Sequence, residues 1–381
     1  MQKILLIGAG RSSGTLIQYL SKNSKSKAWQ VTIADRDFRF LEGEIEGMDK
    51  VILDISDAAH RQSLIETADL VISMLPARMH IEIAKDCLKY KKHMVTASYV
   101  SKEMKALDEE AKEAGLIFMN EIGVDPGIDH LSAKKVIDQI IADGGKMLEF
   151  ETFTGGLVAP EHDDNPWNYK FTWNPRNVVL AGQGGAVKFI QEGTYKYIPY
   201  HKVFRRTEII DIDGYGKFEG VANRDSLKYR SIYGLDDIKT MYRGTLRRPG
   251  FCKAWNVFVQ LGATDDSYTL ENSEEMTFRQ FINLFLPYNP TDSVELKLRH
   301  YLNMAYDDVK LFEKLEWLDI FKDIPVGIKN ATPAQVLQKI LERKWELKEG
   351  EKDMIVMWHR FVYELDGERF EKHSSMVVKG D

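Results

Sequence analysis

Continuous apolar runs alternate with amphipathic segments along the first third of the chain. The first run covers residues 4–7, and similar runs recur at 30–34, 51–53, 70–75, 93–96 and 116–119. Residues 79–90 and 101–114 lie between such runs and have the spacing of helices. Apolar strands that alternate with helices are typical of a doubly wound parallel sheet with right-handed crossovers. The pattern predicts an α/β domain, to which we assign residues 1–127.

The pattern changes after a predicted helix at residues 128–142. Residues 148–154 form a predicted strand that ends at Gly155 and Gly156. Residues 211–218 and 354–379 contain residues typical of hairpin turns and are predicted to form two hairpins. The second has Asp-Gly at its turn. Strands without regular helices between them predict a mixed or antiparallel sheet. We therefore assign an α+β domain to residues 128–274 and 348–381.

A group of predicted helices interrupts this second domain. Residues 277–285, 294–306 and 333–345 have apolar side chains at helical spacing. They predict a small helical insertion at residues 275–347, for which packing is the simplest role.

Composition narrows the class of protein. The chain has 381 residues, enough for two domains, and a net charge of -6 without a long basic run argues against nucleic acid as a partner. No apolar run approaches the roughly 20 residues that span a bilayer. Cys87 and Cys252 lie far apart, and Met1 leads directly into a predicted strand without a signal peptide. We expect a cytoplasmic protein that binds no membrane.

A glycine-rich turn follows the first predicted strand and opens a helix. Residues 8–13 have the pattern G-x-G-x-x-S, with serine at the third position. The first glycine permits the tight turn, the second leaves room for a pyrophosphate, and the helix N-terminus supplies N–H groups and positive dipole. We therefore predict that a dinucleotide contacts Gly8, Gly10, Arg11, Ser12 and Ser13.

The end of the second predicted strand bears on the choice of dinucleotide. Asp35 follows Ala34 there, and a carboxylate at this position binds the adenosine ribose in NAD-binding folds and repels a 2′-phosphate. Arg36 and Arg39 come next and favour NADP. A simpler interpretation of Asp35 is a turn residue. The residues predict NAD or NADP, in contact with Ala34, Asp35 and Arg36.

Later strand ends meet the same edge of the sheet, because all strands of a parallel sheet point the same way. Asp54 and Ile55 follow the third predicted strand, and Leu75 ends the fourth. Ala97 and Ser98 follow the fifth. We predict that these five residues also contact the cofactor.

The stretch of residues 120–130 lies between the sixth predicted strand and a helix. Pro126-Gly127 makes a tight corner there, and Gly127 lets a ligand approach the backbone. We predict that Val124, Asp125 and Gly127 contact the cofactor. A helix cap or a turn residue is the alternative for Asp125. Asp129 and His130 are expected to orient the corner.

Four motifs carry a resemblance over essentially the entire chain. They are N-E-I-G-V-D-P-G-I-D-H-L at 120–131, F-T-W-N-P-R-N-V-V-L-A-G at 171–182, A-N-R-D-S-L at 222–227 and Y-R-G-T-L-R-R-P-G-F at 242–251. In these motifs the sequence resembles the saccharopine reductases, which are the L-glutamate-forming saccharopine dehydrogenases. The resemblance implies a Rossmann domain, an α+β substrate domain and a small helical domain, in agreement with the pattern above.

The resemblance also implies a reaction and its residues. Saccharopine would be interconverted with glutamate and 2-aminoadipate 6-semialdehyde, with a nicotinamide cofactor that is NADP in the family. Saccharopine carries three carboxylates, and the planar fork of arginine suits carboxylates. Substrate contacts are implied for Ser98, Tyr99, Asp125, Arg224, Thr245, Leu246 and Arg247, and Trp173 would cover the nicotinamide or substrate side of the cleft. Asp125 would stabilise the iminium and orient the amine, with proton transfer left open.

Two other functions compete with this one. A carboxynorspermidine dehydrogenase would bind a substrate without the full set of carboxylates, and a non-enzymatic dinucleotide sensor would have no paired arginines. Arg224 together with Arg247 favours saccharopine. Residues 161–164 lack the spacing of metal ligands, and hydride transfer needs no metal, so we predict none. The resemblance further implies a homodimer, a small amino-acid substrate and a helical stretch after residue 381.

Overall fold

The computed structural model describes residues 1–41, 45, 47–183 and 185–380. The chain forms two compact units, Met1–Ser132 and Ala133–Asp381. Residue 381, the last of the predicted substrate domain, lies outside the described residues. Among the described residues, no helix is long and apolar enough to cross a membrane.

The first unit contains a six-stranded sheet that is parallel throughout. Its strands are β1 (Gln2–Ile7), β2 (Trp29–Asp35), β3 (Met48–Ile52), β4 (Leu70–Ser73), β5 (His93–Thr96) and β6 (Phe118–Met119). The spatial order is β3-β2-β1-β4-β5-β6, so the winding direction reverses between β1 and β4. The prediction of a doubly wound parallel sheet is confirmed.

Helices connect these strands. They are α1 (Gly14–Ser24), α2 (Ala58–Thr67), α3 (His80–Lys89), α4 (Lys102–Ala106) and α5 (Asp108–Glu113). Helix α6 (Ile128–Ala142) follows β6; it begins in the first unit and ends in the second. The predicted helix at 101–114 is two helices, which meet at Leu107. The N–H of Leu107 donates to the carbonyl of Met104, three residues back, and this tighter turn separates α4 from α5.

Strand β1 shows why its sequence is apolar at every position. Leu5 and Ile7 pack in one hydrophobic cluster, whereas Ile4 and Leu6 pack in another. Successive side chains of a strand point to opposite faces, so both faces of β1 are buried. A strand covered on both sides requires the continuous apolar run that the sequence has.

The second unit is built on a mixed sheet. Its strands are β7 (Lys146–Val158), β8 (Val187–Gln191), β9 (Thr194–Ile198), β10 (Thr207–Ile212), β11 (Gly216–Ala222), β12 (Thr240–Arg247), β13 (Asp353–Leu365) and β14 (Glu368–Lys379). The order is β10-β11-β12-β7-β13-β14, and β8 pairs with β12 and β9. The pair β12–β7 is parallel and the other pairs are antiparallel, so the prediction of a mixed sheet is confirmed.

Both predicted hairpins are present, but one predicted strand end is wrong. Strand β7 does not stop at the paired glycines and continues to Val158. A Cβ on Gly155 would lie 2.6 Å from the carbonyl oxygen of Leu246, so glycine is what lets β7 pass close to β12. The glycines mark a close strand contact and not a turn.

Eight helices are described in the rest of this unit. They are α7 (Pro175–Val179), α8 (Tyr200–Val203), α9 (Arg230–Tyr233), α10 (Phe251–Leu261), α11 (Phe278–Leu284), α12 (Val294–Tyr301), α13 (Val309–Trp317) and α14 (Pro333–Trp345). The predicted helices at 277–285 and 333–345 are confirmed, and Thr277 and Thr332 begin them with capping boxes. The predicted helix at 294–306 ends early, at Tyr301, and α10 and α13 were not predicted.

Candidate active site

The glycine-rich turn after β1 has the shape that a pyrophosphate needs. Gly8 has φ 109°, and a Cβ on it would lie 2.9 Å from the carbonyl carbon and oxygen of Met74. A Cβ on Gly10, in contrast, would meet no heavy atom within 4 Å. Ser13 is buried, and its hydroxyl donates to the Gly8 carbonyl at 3.0 Å, so its side chain braces the turn without capping α1. The turn therefore leaves open space beside the helix N-terminus, and these residues fit a dinucleotide.

Asp35 and Ala34 hold this turn from the neighbouring strand. Oδ2 of Asp35 accepts the N–H of Ala9 at 2.5 Å, and Oδ1 accepts the N–H of Asp37 at 3.3 Å. Ala34 is fully buried, and its carbonyl accepts the N–H of Gly8 at 2.9 Å. Both residues thus shape the cofactor loop. Their contacts with the cofactor itself stay predictions.

Basic residues surround the end of β2. Arg39 forms two hydrogen bonds with the carboxylate of Asp37, at 2.8 and 2.7 Å, and these bonds lower the pKa of Asp37. The guanidinium of Arg11 lies 5.0 Å from the ring centre of Phe40, in cation–π geometry. Arg36 and Ser12 are exposed. Arg36 is therefore an exposed basic residue directly next to Asp35.

The residues after β3 form a separate turn. Oδ1 of Asp54 accepts hydrogen bonds from the Ser56 N–H at 2.9 Å and hydroxyl at 2.7 Å, which lowers the pKa of Asp54. The carbonyl of Ile55 accepts from Arg61 at 2.6 Å, and Arg61 is in turn bonded to the buried Asp86. The predicted cofactor contacts of Asp54 and Ile55 would therefore come from a rigid turn.

The end of β5 is joined to the stretch of residues 120–130 by several hydrogen bonds, and the Ile122 N–H donates to the carbonyl of Thr96 at 3.3 Å. The hydroxyl of Tyr99 donates to Oδ1 of Asp125 at 2.9 Å. The Glu121 N–H donates to the carbonyl of Ser98 at 3.0 Å, and the Val100 N–H donates to the Glu121 carboxylate at 3.1 Å. The structure thus brings Tyr99 and Asp125 together, as a pair at the carboxyl edge of the sheet. Leu75 and Ala97, the other two residues predicted here, are half-buried at the ends of β4 and β5.

The corner that carries Asp125 is held by glycine packing. The Asp125–Pro126 peptide bond is cis, and Gly127 has φ 148°. A Cβ on Gly127 would overlap the backbone of Gly123, whose N–H donates to the carbonyl of Pro126 at 2.9 Å. Oδ1 of Asp129 accepts the Gly127 N–H at 2.7 Å, so Asp129 orients the corner as expected. Val124 is exposed beside it.

In the second unit, two predicted substrate residues line one cavity. Thr245 and Arg247 share it with Asn223, Phe204, Phe251 and Trp255. Arg247 is buried, and its guanidinium lies 5.1 Å from the ring centre of Tyr169 and 5.3 Å from that of Phe251. An arginine in contact with two aromatic rings has restricted freedom, and its guanidinium group suits a carboxylate. Leu246 lies between Thr245 and Arg247 in sequence, and its side chain is fully buried. Its carbonyl accepts a hydrogen bond from Nη1 of Arg247 at 2.8 Å.

The other two predicted residues of this unit are more exposed. Arg224 lies just after β11 with φ 54°, and its carbonyl accepts the N–H of Lys188 at 3.0 Å. Its neighbour Asn223 donates its N–H to the carbonyl of Arg243 and lines the cavity. Trp173 is 42% exposed. The loop thus places Arg224 one residue away from the cavity wall.

Four residues that the sequence did not suggest lie near the candidate site residues, three in the second unit and one in the first. Asn223, Phe204 and Tyr169 shape the surroundings of Arg247, and His80 contacts Ser98 in the first unit. Tyr169 stands two residues before the F-T-W-N motif, and His80 begins the helix that follows the Leu75-Pro76 strand end. For Tyr169 and His80, the signal in the sequence was their position close to a motif or to a predicted strand end. Within the described residues, no three His, Cys, Asp or Glu side chains are grouped as metal ligands.

A 3-2-1-4-5-6 parallel sheet with a glycine-rich turn after its first strand is typical of dinucleotide-binding proteins, and here a separate mixed-sheet unit follows it. The sequence profile of the saccharopine dehydrogenase NADP binding domain matches residues 4–119, and that of the saccharopine dehydrogenase C-terminal domain matches residues 123–381. The chain belongs to the saccharopine dehydrogenase family.

Individual relatives agree with this membership. A Schizosaccharomyces pombe protein named saccharopine dehydrogenase (NADP(+), L-glutamate-forming) is 33% identical over 392 residues, which cover 100% of this chain and 86% of that protein. The mouse mitochondrial alpha-aminoadipic semialdehyde synthase is 32% identical over 100% of this chain and 41% of its own length. The apo saccharopine dehydrogenase (L-Glu forming) of Saccharomyces cerevisiae superposes with a TM-score of 0.86 at 29% identity, over 100% of this chain and 86% of that one.

Proposed function

We propose that this enzyme interconverts saccharopine with L-glutamate and 2-aminoadipate 6-semialdehyde in lysine metabolism. The similarity over the whole chain to enzymes named for this reaction carries the proposal. The contacts around Arg247 support it, because a tricarboxylate substrate needs cations with a fixed orientation. Bound dinucleotide would accept hydride from the carbon that is bonded to the amine nitrogen on the semialdehyde side of saccharopine.

Asp125 is the residue that we assign to the reacting nitrogen. As the carbon next to nitrogen loses hydride, positive charge develops on the nitrogen, and a fixed carboxylate stabilises that charge. The hydrogen bond from Tyr99 holds Oδ1 of Asp125 in one direction. Water then adds to the iminium carbon, and cleavage of the C–N bond releases glutamate and the semialdehyde.

The substrate carboxylates are assigned to the second unit. Thr245 and Arg247 line the same cavity, and Arg224 lies beside the cavity residue Asn223. Two arginines and a hydroxyl provide charge-assisted hydrogen bonds for a polyanionic amino acid. Carboxynorspermidine, with fewer carboxylates, would leave part of this set without a ligand.

NADP is the cofactor that we propose. The name of the S. pombe relative specifies NADP(+). Both carboxylate oxygens of Asp35 accept backbone N–H groups of the turn region, and the exposed Arg36 next to it offers a cation for a 2′-phosphate. NAD is the second candidate, because Asp35 keeps the position of a ribose-binding carboxylate.

A homodimer in the cytoplasm completes the proposal. Cys87 and Cys252 are both buried thiols that form no disulfide in the described part of the chain, which fits a reducing compartment. The sedimentation velocity of the purified protein tests the oligomeric state.

Turnover of saccharopine with NADP and with NAD, measured side by side, tests the function. We expect reduction of NADP with saccharopine and little with carboxynorspermidine. Dinucleotide binding without any turnover would instead support a sensor. Arg224→Ala should raise the saccharopine KM at least tenfold and leave dinucleotide affinity unchanged, whereas the control Lys228→Ala, at an exposed position in the short 3-10 helix Leu227–Tyr229, should change neither.

A further inference from the structure

A buried histidine lies between two serine hydroxyls at the carboxyl edge of the first sheet. His80 is the first residue of α3 and is 4% exposed. Its Nδ1 lies 2.8 Å from Oγ of Ser73, and its Nε2 lies 2.7 Å from Oγ of Ser98. The imidazole therefore uses both ring nitrogens, one toward each serine.

The surroundings leave this ring little freedom. Ser73 ends β4 and pairs with Thr96, the last residue of β5, and both are buried. The hydroxyl of Thr96 lies 3.3 Å from Nε2 of His80 and accepts the N–H of Ser98 at 3.3 Å. The contacts of His80 thus connect the ends of two neighbouring strands at the edge where parallel sheets bind ligands.

The charge state of the ring adds to this constraint. Burial lowers the pKa of His80 to about 4, so the imidazole is neutral at neutral pH. A neutral imidazole has one donor nitrogen and one acceptor nitrogen. It therefore donates to one serine and accepts from the other, and the tautomer decides which way the Ser98 hydroxyl points.

We propose that His80 is a positioning residue that fixes the Ser98 hydroxyl for its contact with the ligands. A hydroxyl has one donor and two acceptor positions, and His80 occupies one of the three. Ser73 is fully buried, and it anchors the far side of the ring. The contact of Ser98 with substrate and cofactor rests on the proposed function. The hydrogen bonds of His80 do not.

Two amide substitutions distinguish the hydrogen bond of His80 with Ser73 from its hydrogen bond with Ser98. The amide of Asn reaches the position of Nδ1, so His80→Asn keeps the Ser73 bond and loses the Ser98 bond. Gln reaches the position of Nε2, so His80→Gln keeps the Ser98 bond. We expect His80→Asn to lower kcat/KM for saccharopine about tenfold or more, the factor that loss of one oriented hydrogen bond gives, and His80→Gln to lower it about threefold or less.

A double-mutant cycle tests whether the effect passes through Ser98. His80→Asn should add no further loss of kcat/KM in a Ser98→Ala background, because the hydroxyl that it orients is gone. A merely structural role would lower the melting temperature and kcat/KM in both His80 variants to the same extent. Equal kinetics of the two variants, or additive losses in the cycle, would overturn the proposal.

A measurement without turnover decides the same question if saccharopine is not the substrate. Long-range proton–nitrogen NMR spectra of the full chain report the tautomer of His80. We expect one fixed neutral tautomer through neutral pH, and a changed ring-nitrogen signal in Ser98→Ala. An averaged tautomer, or signals that Ser98→Ala leaves unchanged, would show that His80 does not hold Ser98. Absence of saccharopine turnover with a fixed tautomer would refute the proposed function alone.

Discussion

Tyr99 donates a hydrogen bond of 2.9 Å to Oδ1 of Asp125, and this bond joins the loop after β5 to the corner after β6. Both residues come from loops, which ordinarily move more than strands. The corner of Asp125 is closed by the Gly123 N–H bond to the Pro126 carbonyl and by Asp129. The carboxylate that we assign to the reacting nitrogen is therefore held in place before substrate arrives.

Neutralising this carboxylate tests its role. Asp125→Asn keeps an acceptor for Tyr99 but removes the negative charge, so we expect kcat for saccharopine to fall by a factor on the order of 100 or more. Tyr99→Phe removes only the orienting bond and should lower kcat about tenfold. The dinucleotide dissociation constant of Tyr99→Phe, measured by calorimetry, should change less than about threefold, because Tyr99 is assigned to the substrate and not to the cofactor. Asp125→Asn with undiminished kcat would contradict the assignment.

Alanine substitutions at Gly8 and Gly10 of the glycine-rich turn should have different effects on stability and on dinucleotide binding. A Cβ on Gly10 enters open space, so Gly10→Ala should keep the melting temperature but weaken dinucleotide binding by a factor of about ten or more, since that space is needed for the pyrophosphate. A Cβ on Gly8 meets the Met74 backbone at a φ of 109°, so Gly8→Ala should lower the melting temperature by several degrees.

Thermal unfolding with and without NADP distinguishes these outcomes. At the same NADP concentration, NADP should raise the melting temperature of the unmodified chain more than that of Gly10→Ala, because weaker binding gives less stabilisation. An equal stabilisation of both proteins by NADP would place the pyrophosphate elsewhere.

Adjacent arginines provide a matched pair for the substrate cavity. Arg247 lines the cavity, whereas the guanidinium of Arg248 lies 4.3 Å from the ring centre of Phe218 and donates to the carbonyl of Tyr215 at 2.9 Å. Arg247→Ala should raise the saccharopine KM at least tenfold, because a charge-assisted bond to a carboxylate is worth roughly 1.5–3 kcal/mol. Arg248→Ala should leave KM within about twofold.

The charge-preserving variant sharpens this comparison. Arg247→Lys keeps the positive charge but lacks the planar fork that stacks on Tyr169 and Phe251, so it should recover only part of the lost affinity. Circular dichroism controls for folding, since Arg247 is buried. A KM that rises equally in the Arg247 and Arg248 variants would argue for a general loss of structure.

The sequence predicted the first unit better than the second, for a physical reason. Every strand of the parallel sheet is signalled locally, as the two-sided burial of β1 illustrates. Strand β12 carries Arg243, Thr245 and Arg247 on one of its faces. Because of these polar residues, the segment was interpreted as a motif and was not predicted as a strand. The end of β7 was misplaced because the contact of Gly155 with Leu246 is made by a distant segment.

The candidate site was predictable to a similar degree. Strand ends pointed to Tyr99 and Asp125, because a parallel sheet brings its strand ends to one edge, whereas motifs alone suggested Thr245 and Arg247 in the second unit. His80 was missed because its role depends on two hydroxyls, one before it and one after it in sequence, whose distance only folding sets.

Glu151 makes the stability of the second unit depend on pH. Burial raises the pKa of Glu151 from its ordinary value of 4.5 to about 7. The positive charge of Arg360, 3.3 Å away, opposes this shift, whereas the negative charges of Glu208 and Glu149 add to it. The folded chain therefore binds this proton more tightly than the unfolded chain between about pH 4.5 and 7. The free energy of unfolding should fall as pH rises through this window, by roughly 1–3 kcal/mol from this group.

Denaturant unfolding of Glu151→Gln isolates this contribution. The variant cannot ionise, so its stability relative to the unmodified chain should increase between pH 4.5 and 7. A difference in stability that stays constant over this range would mean that Glu151 remains ionised in the folded protein.

The identity of the products tests the central claim most directly. Purified chain incubated with saccharopine and NADP, followed by mass spectrometry, should yield glutamate and 2-aminoadipate 6-semialdehyde in equal amounts, with one NADPH for each. Oxidation of the other C–N bond of the same amine would yield lysine and 2-oxoglutarate. Those products, or no NADPH at all, would contradict the account.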